Sequence, residues 1–348
     1  MKPNRILLPF SFVYGLGVAI RNAFFEKRVL NRESAGIPVF SVGNMTTGGT
    51  GKTPIVELIA RELSDVRRVR TAIVSRGYMR SSTGLVIVSN GTSICTTAER
   101  AGDEPYQLAT ALPGVIVIVD EVRARGARTA KKEFEAGCIV LDDGFQHRAL
   151  DRTLDIVLID SEVDLFSMPM LPAGHRREPL AALARADAFI ITKCTPGADI
   201  TGITEALRRL NAHAPVMTSS YEVDSLVDVH TGVVHEISQF RDARAVGVCG
   251  IGRPESFKQT IASLGIVLDE FHAFGDHHRY TENEFRMIGE SAKRTQAAVV
   301  LTTEKDARRM AGAFTPSVPL LYVKMRARIN ESAMFNTVID SALSASVG

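Results

Sequence analysis

Cysteine is scarce in this 348-residue chain, and its four copies are scattered. No C-x-x-C pair is present, which removes the commonest sequence sign of a zinc or redox site. Three of the four fall in apolar, strand-like runs; the positions are Cys95, Cys138, Cys194 and Cys249. This pattern favours reduced core thiols in a cytosolic compartment over a disulfide framework.

Other absences narrow the class of protein further. The chain has no low-complexity tract and no repeat, and its 45% hydrophobic and 23% charged residues are typical of a globular protein. Its length allows one large core or two ordinary domains. A formal net charge of +2 is too close to zero to indicate nucleic acid, so no nucleic-acid partner is expected.

The apolar segment near the N-terminus, residues 6–20, is too short to cross a bilayer comfortably, since spanning takes about 20 residues. No small-x-small cleavage site follows it, which speaks against a signal peptide. Phe24 and Phe25 come next, bordered by cations: Arg21, Lys27, Arg28 and Arg32. This composition predicts a helix lying in a membrane interface. The alternative is an N-terminal helix packed on the protein's own core.

A glycine-rich loop between a strand-like run and a helical run is the most informative stretch, residues 41–54. Its glycines let backbone N–H groups close around phosphate oxygens, and the helix that follows directs its positive end at the anion. We expect nucleotide contacts from Thr47, Gly48, Gly49, Thr50, Gly51, Lys52 and Thr53.

Lys52 and Thr53 have the chemistry that this loop needs. The lysine can reach the β- and γ-phosphates, and the threonine hydroxyl suits Mg²⁺. Pro54 falls in the first helical turn, where a missing N–H costs nothing. A strict Walker A sequence would have glycine at Thr46, and the alternative is a glycine-rich turn with a lone lysine. The order of strand, loop and helix favours binding of a nucleoside triphosphate.

A second nucleotide signature lies at residues 138–147, where an apolar strand ends in Asp142 and Asp143. A carboxylate at the end of such a strand can hold Mg²⁺ or its water shell. Adjacent acids at a strand end are otherwise common turn residues. Paired with the upstream loop, they predict a metal site formed by Thr53, Asp142 and Asp143.

Short β-branched runs alternate with amphipathic helical stretches, which predicts a parallel α/β sheet covered on both faces. The expected strands are 39–42, 71–75, 115–119, 138–141, 155–159 and 188–192. The rhythm breaks at 221–237, where two strands around a glycine-containing turn form a hairpin that reads as a connector. We therefore expect an N-terminal helix (1–32), a P-loop kinase-like domain (33–216), a two-stranded linker (217–239) and a smaller α/β domain (240–348).

Further polar clusters follow predicted strand ends. Arg76 directly follows the expected strand 71–75 and would point toward the ligand edge of the sheet. Asp103 precedes an apolar helical run, where it reads as a helix N-cap. The cationic loop at 171–179 is either a grip for a substrate phosphate or a solvated turn. The sequence Asp-His-His at 276–278 invites a metal interpretation, but without further ligands a general base or supporting histidine fits better.

Together these motifs resemble the tetraacyldisaccharide 4′-kinase family, the lipid A kinases of Gram-negative bacteria, from the N-terminal segment through residue 306. The matching motifs are Leu8-Pro9, Tyr14-Gly15-Leu16, Ser41-Val42-Gly43-Asn44, Gly48-Gly49-Thr50-Gly51-Lys52-Thr53-Pro54, Ser75-Arg76-Gly77-Tyr78, Gly102-Asp103-Glu104-Pro105, Asp142-Asp143-Gly144-Phe145-Gln146-His147, Pro172-Ala173-Gly174, Arg177-Glu178-Pro179, Gly250-Ile251-Gly252, Asp276-His277-His278 and Thr303-Glu304-Lys305-Asp306. Non-glycine at position 46 is usual in that family, whereas Arg176 stands where it more often has leucine.

The resemblance implies ATP- and Mg²⁺-dependent phosphorylation of the 4′-hydroxyl of a tetraacylated glucosamine disaccharide 1-phosphate. It implies that Asp103 is the catalytic base and that His277 orients it, which replaces the cap interpretation. It further implies peripheral, monotopic attachment to the cytoplasmic face of the inner membrane, where the acylated substrate stays. The expected substrate contacts are Arg76, Gln146, His147, Arg177 and Glu178, with Arg76 and Arg177 as candidate phosphate clamps.

Two other classes remain open from the sequence. The first is a nucleotide-switch protein, either a GTP-dependent metallochaperone or a partitioning ATPase with a deviant phosphate loop. Guanine specificity would need an Asn/Thr-Lys-x-Asp element, and Thr192-Lys193 begins one that lacks its aspartate. The absence of cysteine and histidine clusters speaks against metal cargo. The second is a small-molecule kinase without a membrane link, which deletion of the N-terminal segment would distinguish.

Overall fold

The computed structural model describes residues 5–47, 49–195, 197–252, 254–275 and 278–345. Within these residues strands and helices alternate along most of the chain. The strands are β1 (Val39–Asn44), β2 (Thr71–Ser75), β3 (Val86–Asn90), β4 (Ile116–Val119), β5 (Cys138–Asp142), β6 (Leu154–Asp160), β7 (Ala188–Thr192), β8 (Val216–Asp228), β9 (Val234–His235), β10 (Arg244–Cys249), β11 (Val267–Ala273), β12 (Val299–Thr303) and β13 (Leu320–Ile329). The α-helices are α1 (Leu8–Glu26), α2 (Lys52–Arg61), α3 (Ala98–Ala101), α4 (Asp103–Ala111), α5 (Arg123–Phe134), α6 (Thr201–Leu210), α7 (Pro254–Ser263), α8 (Glu282–Thr295), α9 (Glu304–Met310) and α10 (Ser332–Ser344).

The chain divides into two compact units. The first unit comprises Met1–Ser220 and Ala327–Gly348, and the second comprises Tyr221–Arg326. The chain passes between them twice, because β8 and β13 each contain one of the two boundaries.

The first unit is built on a sheet with the strand order β8-β7-β6-β1-β5-β2-β4-β3. Its strands run parallel except for β3, which is antiparallel to β4. Strands β1, β2, β4, β5, β6 and β7 are buried along their whole lengths, as expected for a sheet covered on both faces. Parallel strands end at one edge, so the loops after β1, β2, β4, β5, β6 and β7 all emerge on the same side.

Helices on both faces bury the apolar residues of this sheet. On one face α2 contributes Ile55 and Ile59 to a cluster with Phe40 of β1. The C-terminal helix α10 adds Phe335 and Ile339 to the same cluster. Helix α5 contributes to other clusters through small residues, Ala124, Ala127 and Ala130, which let it lie close to the strands. These helices fix the strand ends that carry the candidate site.

The second unit is a smaller α/β fold. Its strands follow the order β11-β10-β12-β13 and run parallel. Helix α7 packs its Phe257 and Ile261 in one apolar cluster, and α8 packs Phe285 and Ile288 in another. The predicted hairpin corresponds to β8 and β9, which pair antiparallel between Leu226 and His235.

The α/β fold class predicted from the sequence is confirmed. The bounds of the units differ from the expected ones, because residues 327–348 belong to the first unit rather than to the second. The physical reason is α10, whose apolar side is buried in the first unit's core. The connection also differs, since β13 provides a second passage that the hairpin prediction did not include.

The N-terminal helix α1 is longer than the apolar segment read from the sequence. It has 19 residues, and by length and composition alone it meets the requirement for a membrane span. Only 11% of that stretch is buried. The uncharged run ends before Arg21, whereas the helix continues to Glu26 and lies within the segment 1–32 for which a helix was expected.

Candidate active site

The phosphate loop connects β1 to α2. Strand β1 ends at Asn44 and α2 begins at Lys52. The backbone N–H groups of the loop therefore lie next to the N-terminus of α2, where a helix attracts anions. Gly51 has a φ of +81°, a left-handed conformation that favours glycine. The Asn44 side-chain amide donates to the Thr50 hydroxyl at 2.6 Å. The predicted nucleotide residues Thr47, Gly49 and Thr53 lie in this loop and helical turn, and Gly48 lies outside the described residues.

A second loop, residues 170–178, holds the phosphate loop in place. The backbone N–H of Thr47 donates to the carbonyl of His175 at 2.8 Å, and the Thr47 hydroxyl lies 3.0 Å from Nδ1 of the same histidine. The backbone N–H of Arg177 donates to the carbonyl of Met45 at 2.7 Å. Arg176, which stands where the family more often has leucine, forms an antiparallel backbone bridge with Thr46. These contacts preorganise the loop.

Lys52 and Arg177 converge on Asp143. Nζ of Lys52 lies 3.5 Å from one carboxylate oxygen of Asp143, and Nη1 of Arg177 lies 3.1 and 2.9 Å from the two oxygens. Burial alone would raise the pKa of Asp143, but these two cations hold it below its usual value. The loop lysine, the acid after β5 and the cationic loop therefore form one charged cluster. The sequence indicated these three motifs separately and did not predict their contact.

Asp142 is the second acid of the candidate metal site. It is buried, and the Ser75 hydroxyl donates to its Oδ2 at 2.8 Å. Burial raises its pKa to about 6, and the nearby Asp143 and Glu104 carboxylates act in the same direction. A buried carboxylate in this state is stabilised by a bound cation.

The donor set fits Mg²⁺ in a nucleotide site. Within the described residues, no three His, Cys, Asp or Glu side chains form a group that could hold a metal on their own. Mg²⁺ in kinases takes only one or two carboxylates, completing its shell with phosphate oxygens and water. Asp142 and Asp143, with the hydroxyl of Thr53 at the start of α2, are the residues that would hold it.

The loops that carry Arg76 and Asp103 pack backbone against backbone. A Cβ at Gly77 would lie 2.8 Å from the Ala101 carbonyl oxygen, and one at Gly102 would lie 3.0 Å from that of Tyr78. Glycine is therefore required at both positions. Asp103 is exposed at the first position of α4, and the helix N-cap is Gly102, so the N-cap interpretation of Asp103 was wrong.

Gln146 and Glu178 form a supporting network. The Gln146 side-chain amide donates to the Asn44 carbonyl at 2.9 Å and to Glu178 at 3.1 Å. Glu178 is 1% exposed, and its oxygens also accept from Asn22 of α1 and from both terminal nitrogens of Arg185. These contacts occupy the carboxylate of Glu178, so it positions Gln146 and the loops around it.

His147 lies among arginines. Burial is the largest cause that lowers its pKa, the positive charges of Arg123, Arg152, Arg21 and Arg76 act in the same direction, and together they bring the pKa to about 4. The imidazole is therefore neutral at physiological pH and available as a hydrogen-bonding group.

Arg123 is a residue of this site that sequence reasoning missed. It is 5% exposed at the start of α5, its Nη1 donates to the Glu121 carbonyl at 3.3 Å, and its buried Nε has no hydrogen-bond partner. Burial lowers its pKa and nearby Arg76 adds to the effect, whereas Asp143 and Asp142 oppose it. An anion that enters the site would accept a hydrogen bond from this unused donor of the buried guanidinium. Its position after a predicted strand was the only signal in the sequence.

His277 belongs to the second unit and lies outside the described residues, as does Asp276. Beside them, the His278 ring stacks on Phe274 at 4.7 Å and its Nε2 lies 3.1 Å from Glu284. The buried Asp306 accepts from the Gly250 backbone at 2.9 Å and from the Thr303 hydroxyl at 2.7 Å. A Cβ at Gly250 would lie 3.1 Å from Cβ of His278, so Gly250, Asp306 and His278 meet near the carboxyl ends of β10 and β12.

Comparison with known proteins shows the family of this chain. The family model described as tetraacyldisaccharide-1-P 4'-kinase matches residues 3–344. The chain belongs to this family.

Relatives of similar length support the assignment. The tetraacyldisaccharide 4'-kinase of Chlorobaculum parvum is 40% identical over 88% of this chain and 84% of its own length. That of Syntrophus aciditrophicus is 35% identical over 97% and 93%. The crystal structure of LpxK from Aquifex aeolicus in complex with ATP superposes with a TM-score of 0.74 at 31% identity, covering 97% of this chain and 98% of that one.

Proposed function

We propose that this enzyme transfers the γ-phosphoryl group of ATP to the 4′-hydroxyl of a tetraacylated glucosamine disaccharide 1-phosphate, a step of lipid A synthesis. The observation that carries the proposal is the convergence of Lys52, Asp143 and Arg177 beside a braced phosphate loop. Phosphoryl transfer needs alignment and charge neutralisation more than covalent help. The family membership supplies the acceptor, since its relatives are named for it.

The reaction assigns a role to Asp103. The 4′-oxygen attacks the γ-phosphorus, the bond from that phosphorus to the β–γ bridging oxygen breaks, and ADP leaves. Asp103 accepts the hydroxyl proton as the new bond forms, because a sugar hydroxyl is otherwise a poor nucleophile. Its exposed place at the start of α4, next to the tight Gly77 and Gly102 turns, supports this role. His277 is proposed, from the family resemblance, to work together with Asp103.

Charge on the migrating phosphoryl group is neutralised by Lys52, with Arg177 as a candidate second cation. Mg²⁺, bound through Thr53, Asp142 and Asp143, would supply further positive charge at the β- and γ-phosphate oxygens. Asp143 is well placed to keep Lys52 extended toward this position, because the two groups form an ion pair.

The arginine group around His147 is proposed to receive an anionic part of the substrates. Arg76 and Arg123 both act on the pKa of His147, so their charges lie close to it. Their positive charge suits a phosphate group, either of ATP or of the lipid 1-phosphate. Neutral His147 would then provide an uncharged hydrogen bond to the sugar. Gln146, whose side chain already bonds Asn44, Glu178 and Arg177, would act by holding the loops around the substrate.

Helix α1 is proposed to lie in the cytoplasmic interface of the inner membrane. Its Ser11 hydroxyl donates to the Met170 carbonyl at 2.9 Å, and its Arg21 donates to the Gln146 carbonyl at 2.9 Å. Ser11 and Arg21 are about 15 Å apart along the helix, at a rise of 1.5 Å per residue. The helix is thus bound to polar loops of the first unit at both of these positions. A spanning orientation would carry those loops into hydrocarbon, which is costly. The exposed side is apolar: Phe10, Phe12, Val13, Leu16, Ile20 and Phe24.

The decisive experiment is transfer of radiolabelled phosphate from γ-labelled ATP to purified lipid disaccharide 1-phosphate. With the wild-type protein we expect a labelled bisphosphorylated lipid. Its formation should begin without a lag, and its rate should depend on Mg²⁺. A deacylated, water-soluble disaccharide 1-phosphate serves as the second acceptor and tests the small-molecule kinase alternative. Equal efficiency on both acceptors, or ATP hydrolysis without transfer to either, would overturn the proposal.

A further inference from the structure

The carboxyl ends of β6 and β7 are joined by an ion pair that the phosphoryl-transfer chemistry does not use. Nζ of Lys193 lies 2.6 Å from Oδ2 of Asp160. Asp160 is the last residue of β6 and is almost completely buried, and Lys193 directly follows β7. The lysine side chain remains 32% exposed at the edge of the sheet where the phosphate loop emerges.

The backbone at Lys193 is held in an uncommon conformation. Its φ is +59°, in the left-handed region that residues with a Cβ rarely adopt. Two contacts from Ser161 maintain it: the backbone N–H donates to the Thr192 carbonyl and the hydroxyl donates to the Lys193 carbonyl, both at 3.1 Å. A strained residue fixed from several sides is a reason to look for a function at that position.

This pair is tied directly to the phosphate loop. The Thr192 hydroxyl donates to the Thr50 carbonyl at 2.8 Å. In the sheet order, β6 and β7 lie on one side of β1, and β5 with its Asp143 lies on the other. Lys52 is paired with Asp143, so the γ-phosphate end of a bound nucleotide belongs on the β5 side. The nucleoside end would then extend toward β6 and β7, where Lys193 is partly exposed.

We propose that Lys193 contacts the base of the bound nucleotide and that Asp160 is the residue that positions it. The ammonium group is neutralised by Asp160, which leaves the alkyl stem of the lysine as an apolar surface for the face of a purine. Asp160 also accepts from the Glu162 backbone N–H at 3.0 Å, so its carboxylate is engaged by the protein and acts on the lysine. The proposal rests on the proposed function, because it assumes that the loop binds ATP.

The test measures nucleotide binding in the absence of a lipid acceptor. Titration of the full-length protein with a fluorescent N-methylanthraniloyl ADP reports the Kd. Inorganic tripolyphosphate, used as a competitor, has no base and therefore reports binding to the phosphate loop alone. Lys193→Ala removes the stem, Lys193→Met keeps a stem without the charge, and Arg209→Ala in an exposed ion pair is the matched control.

We expect Lys193→Ala to raise the Kd for ADP about tenfold, the loss of ~1.4 kcal/mol that corresponds to the contact of about two methylene groups. Lys193→Met should stay near the wild-type Kd, Asp160→Asn should show a smaller loss than Lys193→Ala, and tripolyphosphate should bind all variants equally. Wild-type ADP binding by Lys193→Ala would overturn the inference. So would parallel losses for ADP and tripolyphosphate, which would indicate that the pair only supports the loop. Failure of the wild-type protein to bind ADP would instead count against the proposed function.

Discussion

The ammonium group of Lys52 lies 3.5 Å from the carboxylate of Asp143, so the phosphate loop and the end of β5 meet at one ion pair. Arg177 completes the arrangement from the 170–178 loop. A lysine held in this way is extended before the nucleotide arrives, which reduces the reorganisation that binding requires.

Replacing Lys52 with alanine should lower kcat by about 100-fold or more, because removal of one electrostatic stabiliser of a transition state costs ~2.7–4 kcal/mol. The measurement is steady-state transfer to the lipid acceptor at saturating ATP. Lys258→Ala, an exposed lysine on α7, is the control and should retain wild-type rates. A Lys52→Ala enzyme with near-normal turnover would contradict the assignment of the phosphate loop.

Asp103 and His277 are predicted to act as one catalytic group. Asp103→Ala and His277→Ala should each reduce kcat strongly, and the double variant should be little slower than the slower single variant, since coupled groups are non-additive. Single-turnover kinetics of all four enzymes would measure this. Multiplicative losses would show that the two residues contribute independently.

The imidazole of His147 should titrate near pH 4 in place of its ordinary value of about 6.5, because burial and the charge of Arg123 disfavour its protonation. As the pH falls from about 6.5 to about 4, the unfolded chain takes up a proton that the folded one refuses, so stability declines across this window. Histidine NMR spectra, assigned with His147→Gln, would follow the titration.

Arg123→Met should raise the pKa of His147, because Arg123 is the largest of the neighbouring charges that lower it. His147→Gln should also flatten the pH dependence of the free energy of unfolding over the same window. A wild-type His147 that titrates near 6.5 would refute the arginine-rich environment described for this site.

Much of the fold could be predicted from the sequence because its strands are continuous apolar runs, and β7 begins and ends at the predicted residues. The phosphate loop and Asp143 were also predictable, since loop, lysine and acid have fixed order along the chain. Arg123 was not, because only tertiary packing shows that its guanidinium is buried beside Asp142 and Asp143. The packing of α10 against the first unit could not be predicted either, because the sequence of an amphipathic helix does not indicate which core its apolar side joins.

Glu178 is predicted to support the site through stability. Glu178→Ala should reduce the free energy of unfolding by roughly 3–5 kcal/mol, because it removes the carboxylate that neutralises the largely buried guanidinium of Arg185. Urea denaturation would measure the loss. Glu205→Ala, which breaks an exposed pair with Arg209, should cost less than about 1 kcal/mol. Similar values for the two variants would show that the Glu178–Arg185 pair contributes no more than a surface contact.

The exposed side of α1 offers a cleaner test of membrane attachment than deletion of the helix. Deletion would remove the Tyr14 hydroxyl, which donates to the Arg177 carbonyl at 3.1 Å, and Asn22, which donates to Glu178 at 2.7 Å. Loss of activity in such a truncation would therefore mix two effects. Phe10→Ser and Phe12→Ser together alter only the outward side, where these rings are 62% and 76% exposed.

The double variant should move from the membrane to the soluble fraction and should raise the KM for lipid substrate in vesicles, while the KM for ATP stays unchanged. The reason is that interfacial binding scales with buried apolar area and is reversible. Val66→Ser, which alters an exposed apolar residue after α2, is the matched control and should leave both quantities unchanged. Sedimentation with anionic vesicles, with and without added salt, would separate the apolar contribution from the attraction of the flanking arginines. A double variant that still sediments fully with vesicles would mean that α1 does not attach through this face, and that a spanning or differently oriented helix has to be considered in its place.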